Sequence, residues 1–201
     1  LEVAFGGISE GKEKSLVTVP DYHRCFYKKK KDIEQIHMNI AFKSVPSDQD
    51  EKYALSIINS IMGGSENSRL FQVIREEMGL TYSIFSYGSS YRPAGLFHIN
   101  AALNPSKVMV VYEQVMDIIE EMKKDTITEE EMIQTKEQIK TELIIGSEST
   151  RNRMNSNGRG VLMRGKIIPL DTTIEKLSDV TLEQLNRYMK EFFVEEHCSL
   201  A

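Results

Sequence analysis

RLFQVIREEMGLTYSIFSYGSSY, residues 69–91, passes from a helical pattern to a strand pattern at one glycine. RLFQVIREEM reads as a helix capped by Asn67 or Ser68 and ended by Gly79, and LTYSIFSYGSSY after it as a strand. GLFHINAAL (95–103) is a second strand, joined to the first around Arg92-Pro93-Ala94-Gly95, a turn-like stretch. Arg75 and Tyr82 stand seven positions apart across the junction, a polar pair where both elements otherwise look like core.

Outward from this junction the pattern continues. EQIHMNIAF (34–42) alternates, with Ile36, Met38, Ile40 and Phe42 on one face and His37, Asn39 and Ala41 on the other, as in a half-buried strand. DQDEKYALSIINSIMGG (48–64) is a helix with acids in its first turn, an apolar side from Tyr53 to Ile61, and Gly63-Gly64 at its end. Asn104-Pro105 opens an amphipathic helix. Capping boxes at Thr128/Glu131 and Thr181/Gln184 open two more, each with an apolar staple (Ile127 with Met132, Val180 with Leu185). TRNRMNSNGRGVLMRGK (150–166) is a polar helix with weak internal punctuation.

SLVTV (15–19) and RCFYK (24–28) read as short extended segments, and HCSLA (197–201) as the start of a strand. LEVAFGG (1–7) reads as the last turn of a helix closed by Gly6 and Gly7, as expected of a domain cut from a longer chain. The order is strands, two helices, strands, then mostly helices. That order is α+β, an antiparallel β-sheet with helices packed on one face, and not alternating βα units. One domain over residues 1–201 is expected, with no repeat, low-complexity segment or linker.

Bulk properties exclude several function classes. With 40% hydrophobic and 27% charged residues and a net charge of −5, the chain matches neither a nucleic-acid binder nor a protein of anionic membranes. The run of four lysines at 28–31 precedes Asp32 and reads as a strand-edge or turn cluster. No apolar stretch reaches the roughly 20 residues that span a bilayer, and the first residues lack the pattern of a signal peptide. Two cysteines, Cys25 and Cys198, with no CxxC, point to a reducing compartment and a cytoplasmic location.

A search for chemistry leaves little. His23, His37, His98 and His197 are far apart, and neither H-E-x-x-H nor H-x-x-E-H occurs. Glu196-His197 comes nearest, but Phe193 holds the place of the first histidine. His37 and His98, on the polar phases of their strands, read as hydrogen-bonded sheet histidines. No G-x-S-x-G is present, and Gly63-Gly64-Ser65 follows a helix without a P-loop lysine, which favours a helix C-cap over a phosphate cradle. Read from residues alone, Arg75 is a solvated helix arginine paired with Glu76 or Glu77, and Tyr82 a sheet tyrosine.

MGGSENSRLFQVIREEMGLTYSIFSY (62–87), however, resembles the C-terminal half of peptidase family M16, the pitrilysin and mitochondrial-processing-peptidase group. GLFHINAAL, ITEEEMIQTKEQIKTELIIGSESTRNRM and VTLEQLNRYMKEFF follow in the order of that half, so the resemblance covers nearly the whole chain and looks bacterial. It implies a LuxS/MPP-like metallohydrolase module, the non-zinc half of a zinc metalloendopeptidase. Zn2+ is then expected in an N-terminal half, in cis or as a partner subunit in trans, with a peptide as substrate and a homodimer possible for the full protein.

The family's arginine and tyrosine map onto Arg75 and Tyr82, as auxiliary donors to a peptide carbonyl and the oxyanion formed from it. Its glycine-rich turn maps onto Gly63, Gly64 and Ser65 as a substrate-binding segment, with serine where a third glycine is usual. Some members have lost catalysis and serve as assembly modules, and that is the alternative.

Overall fold

The alternation in residues 34–42 becomes the central strand. In the computed structural model, which describes residues 2–7, 18 and 21–201, β1 (Ile36–Ser44) pairs antiparallel with β3 (Gly95–Leu103) over nine positions. β3 pairs with β2 (Thr81–Ser90), and β1 also pairs with β4 (Ser199–Leu200), giving the order β2-β3-β1-β4. Met38, Ile40 and Phe42 are buried as expected, while Ile36 is exposed at the strand's first position, where the pairing begins. RCFYK contributes one parallel bridge, Phe26 to Leu200, and not a full strand. SLVTV lies, apart from Thr18, outside the described residues. The expected helix end is α1 (Glu2–Phe5), where the Gly6 N–H donates to the Glu2 carbonyl.

The larger helices are α2 (Glu51–Met62), α3 (Val108–Met122), α4 (Glu129–Glu148), α5 (Thr150–Arg164), α6 (Leu170–Ser178) and α7 (Leu182–Phe192). Both capping boxes form, and all four staple residues are buried. The break between α4 and α5 falls at Ser149, whose backbone is extended and whose hydroxyl accepts from the Asn152 N–H.

Helices cover one face of the sheet. Ile57 and Ile58 of α2, Val115 and Ile119 of α3 and Leu185 and Met189 of α7 share one buried cluster with the inward side chains of β1, β2 and β3. At its centre Phe193 lies between Phe42 and Phe97, with ring centroids 5.3 and 4.9 Å away, and all three are essentially inaccessible. The tilted and edge-on geometry adds roughly 1 kcal/mol per aromatic pair beyond the area buried.

Two polar ties set the helix layer. Arg69 donates Nη2 to Glu131 Oε2 at 2.7 Å and Nε to Oε1 at 3.2 Å, and reaches the hydroxyl and carbonyl oxygens of Thr126. Glu131 is also the capping-box carboxylate of α4, so one residue fixes both the helix start and its neighbour. Lys136, buried within α4, donates Nζ to the carbonyls of Ser178 and Val180, tying α4 to the end of α6, and burial lowers its pKa. Replacing Arg69 with alanine leaves Glu131 and the Thr126 carbonyl short of donors, and charge-assisted bonds of this kind contribute about 2 kcal/mol. Urea denaturation of Arg69→Ala is expected to show a loss of that size with the far-UV signal of the folded state retained.

Candidate functional site

Arg75 and Tyr82 are placed by two backbone irregularities. The helix after Ser68 begins at Arg69, but Phe71–Glu77 is π-helical, where an ordinary α-helix is expected. The Met78 N–H bonds five residues back to Val73, and the Leu80 N–H six back to Ile74, around Gly79 at φ +60°. Leu70 and Ile74, fully buried, anchor this wide turn. β2 then starts with a bulge: Thr81 pairs with Leu103 and Ser83 with Ala102, so Tyr82 has no partner across the ladder. Extra-residue turns and bulges of this kind re-aim side chains and are common beside functional sites.

Both side chains face solvent. The Arg75 guanidinium lies 4.6 Å from the Phe71 ring centroid, and its Nε is 4.0 Å from Glu76 Oε1. An exposed pair at that distance contributes little, so the cation is held by the ring more than by the acid. Tyr82 is 58% exposed. Among the described residues no hydrogen bond holds the Arg75 guanidinium or the Tyr82 hydroxyl, and none joins the two. Their donors are available to a ligand.

The Gly63-Gly64-Ser65 turn sits beside the same strand. Gly63 is buried, and its carbonyl accepts the N–H of Ser86 at 2.9 Å, an edge group of β2. The N–H groups of Gly63 and Gly64 both donate to the Asn59 carbonyl, as expected of a helix C-cap, and the Ser68 hydroxyl donates to the Ser65 carbonyl. Gly64 is exposed and Ser65 half-buried, so a ligand meets their surface, while the N–H groups of Gly63 and Gly64 are already engaged.

Residue-type reasoning missed the open face of the sheet. Tyr87 stacks on His98 with centroids 4.8 Å apart, and Phe85 lies 6.1 Å from Tyr87. His98 shares a hydrogen bond between Nε2 and the Ser89 hydroxyl and another between Nδ1 and Asn39 Oδ1, and Asn39 donates to Asn100. Burial lowers the His98 pKa, which favours the neutral ring. His37, expected to be hydrogen-bonded as well, is exposed at the strand end with no such bond among the described residues. The signal for the stack was the second phase of FSYGSSY, which carries Phe85, Tyr87 and Ser89. A groove of about 850 Å3 continues this face toward β1, lined by Tyr22, Asn39, Ala41, Lys43, Tyr91 and Leu96; Arg75 and Tyr82 do not line it. No cluster of three His, Cys, Asp or Glu side chains able to hold a metal is present among the described residues, so they offer no fit for zinc.

A family profile described as the peptidase M16 inactive domain matches residues 2–139. The chain belongs to the peptidase M16 inactive-domain family. Its relatives include an uncharacterized zinc protease of Bacillus subtilis, YmxG, 34% identical over 98% of this chain and 48% of that protein. An uncharacterized zinc protease of Mycobacterium tuberculosis, Rv2782c, is 31% identical over 78% of this chain and 36% of its own length. The chain thus spans about half or less of the curated relatives it matches.

A solved protease from Helicobacter pylori superposes with a TM-score of 0.86 at 18% identity, over 99% of this chain and 49% of that one. The M16 inactive domain from Pseudomonas fluorescens superposes at 0.79 and 21% identity, over 94% and 46%. These two likenesses bear out the α+β fold. No described helix is long and apolar enough to cross a membrane.

Two outcomes are expected of this M16 inactive domain. A Cβ on Gly63 would lie 2.7 Å from the Ser86 hydroxyl and 2.8 Å from its backbone nitrogen, so Gly63→Ala should cost about 2 kcal/mol in chemical denaturation. Folded His98 takes its proton at lower pH than the unfolded chain, whose imidazole titrates near the ordinary value of about 6.5. Below that pH the unfolded state binds more protons and stability falls. Between pH 7 and pH 5 the denaturation midpoint of the wild type should therefore drop further than that of His98→Gln.

Proposed function

We propose that the chain is the metal-free half of an M16-type zinc metalloendopeptidase, one module of a longer protein. It completes a peptide-binding chamber with a zinc-bearing N-terminal half, in cis or as a partner subunit. One observation carries the reading. In a member of the inactive-domain family, Arg75 and Tyr82 are presented to solvent by a π-turn and a bulge, with no side-chain hydrogen bond to any described residue.

The chemistry assigned to the pair follows from their donors. A zinc ion held by the other half would activate the hydrolytic water; this chain's own part is binding and charge stabilisation. Arg75 presents a fixed guanidinium fork to a substrate carbonyl. The Tyr82 hydroxyl donates to the same oxygen as negative charge develops on it. The Gly63-Gly64-Ser65 turn flanks the substrate path through exposed Gly64 and half-buried Ser65. A cytoplasmic location is part of the same proposal, supported by the unpaired thiols of Cys25 and Cys198.

The test combines the chain with its zinc-bearing half and follows cleavage of a quenched peptide. The chain alone is expected to show no cleavage. In the complex, Arg75→Ala and Tyr82→Phe are each expected to lower kcat/KM about 100-fold, in line with the loss of one transition-state donor. Full activity of both variants in an intact complex sinks the catalytic role and leaves an assembly module.

A further inference from the structure

We infer that the arm built from the C-terminal part of α4 and from α5 is the surface against which the remaining half of the full-length protein packs, through an apolar patch ringed by carboxylates. The inference rests on the two-half reading above. α5 has 15 residues, of which only Gly160 is buried. It contains Gly158, Gly160 and three asparagines (Asn152, Asn155 and Asn157), all weak helix formers. A helix of this length and composition is marginal in water when it packs on nothing, so its stability must come from a surface that covers it. The local ties are short-range: Ser149 caps it, Asn152 reaches the Gly146 carbonyl, and Gly165 ends it with a left-handed turn.

The exposed side chains describe the covering surface. Ile144 and Ile145 of α4 and Met154, Val161 and Leu162 of α5 are all exposed, Leu162 at 80%. Single exposed apolar residues are ordinary, but a concentration of them on one arm marks an interaction site. Residues 149–170 carry Arg151, Arg153, Arg159, Arg164 and Lys166 and no acid, in a chain whose net charge is −5. None of these five cations is in an ion pair among the described residues. A complementary surface therefore presents carboxylates around an apolar centre.

The occupant is set by what the full-length relatives contain. The match covers 48% of the Bacillus relative, so in a full-length protein of that size about as much polypeptide again is available to cover the arm.

Amide hydrogen exchange of this chain, alone and within the protein carrying both halves, decides the matter. Amides of residues 150–164 should exchange about 100-fold more slowly in the two-half protein than in the chain alone. Leu162→Asp in the two-half protein should restore the fast exchange while β1 and β3 stay protected, because the Leu162 side chain has no part in the core. Equal exchange in α5 with and without the other half overturns the inference, as does α5 protection that grows with protein concentration, which would make a second copy the occupant. If residues 71–90 gain protection and α5 does not, the inference fails and the two-half reading stands. If no amide of the chain gains protection, both fail.

Discussion

Phe193, wedged between Phe42 and Phe97, joins the end of the last large helix to two adjacent strands some 100 to 150 positions earlier in the chain. Long-range contacts of this kind bear the highest chain-closure cost, and dense aromatic packing is what offsets it. With Phe193 in place, α7 lies over β1, α2 and α3 complete the same layer, and the opposite face of the sheet is left without a helix among the described residues. The position that breaks the nearest approach to a zinc motif, ahead of Glu196-His197, is thus a centre of the hydrophobic core.

The one-sided layer also explains where polar groups could gather. On the open face, Asn39, Asn100, His98 and Ser89 form a hydrogen-bonded row across three strands, with the Asn100 amide nitrogen left without a partner among the described residues, and the aromatic rings of Phe85 and Tyr87 continue the row. On the helix side, Arg69 and Lys136 are spent on carbonyls and a carboxylate that position α4. Arg75, on the same helix as Arg69 but one wide turn further on, is not spent in that way. The structure therefore separates a structural arginine from one available to a ligand within six residues.

Local signals were legible in the sequence, and relational ones were not. The capping boxes at Thr128 and Thr181, the alternation of β1 and the glycine stop at Gly79 each depend on residues close in the chain, and all are present. The π-helix differs from an α-helix only in which carbonyl each N–H chooses, and no composition marks that choice. The bulge at Tyr82 and the stacking of Tyr87 on His98 depend on register with β3, which one strand's sequence does not state. Arg75 and Tyr82 became candidates through family resemblance, since residue types alone favoured an ordinary surface pair.

The Gly63 carbonyl that takes the Ser86 N–H has a consequence for the fate of the chain as well as its form. Thr81–Ser90 is an edge strand of ten residues with no charge and no proline, the composition that recruits a second strand when uncovered. The turn after α2 acts as a plug on that edge. Loosening the plug would expose the N–H and C=O groups of that edge as a template for a second strand while the core is still intact, so a local opening, short of global unfolding, is enough to make the chain self-associate.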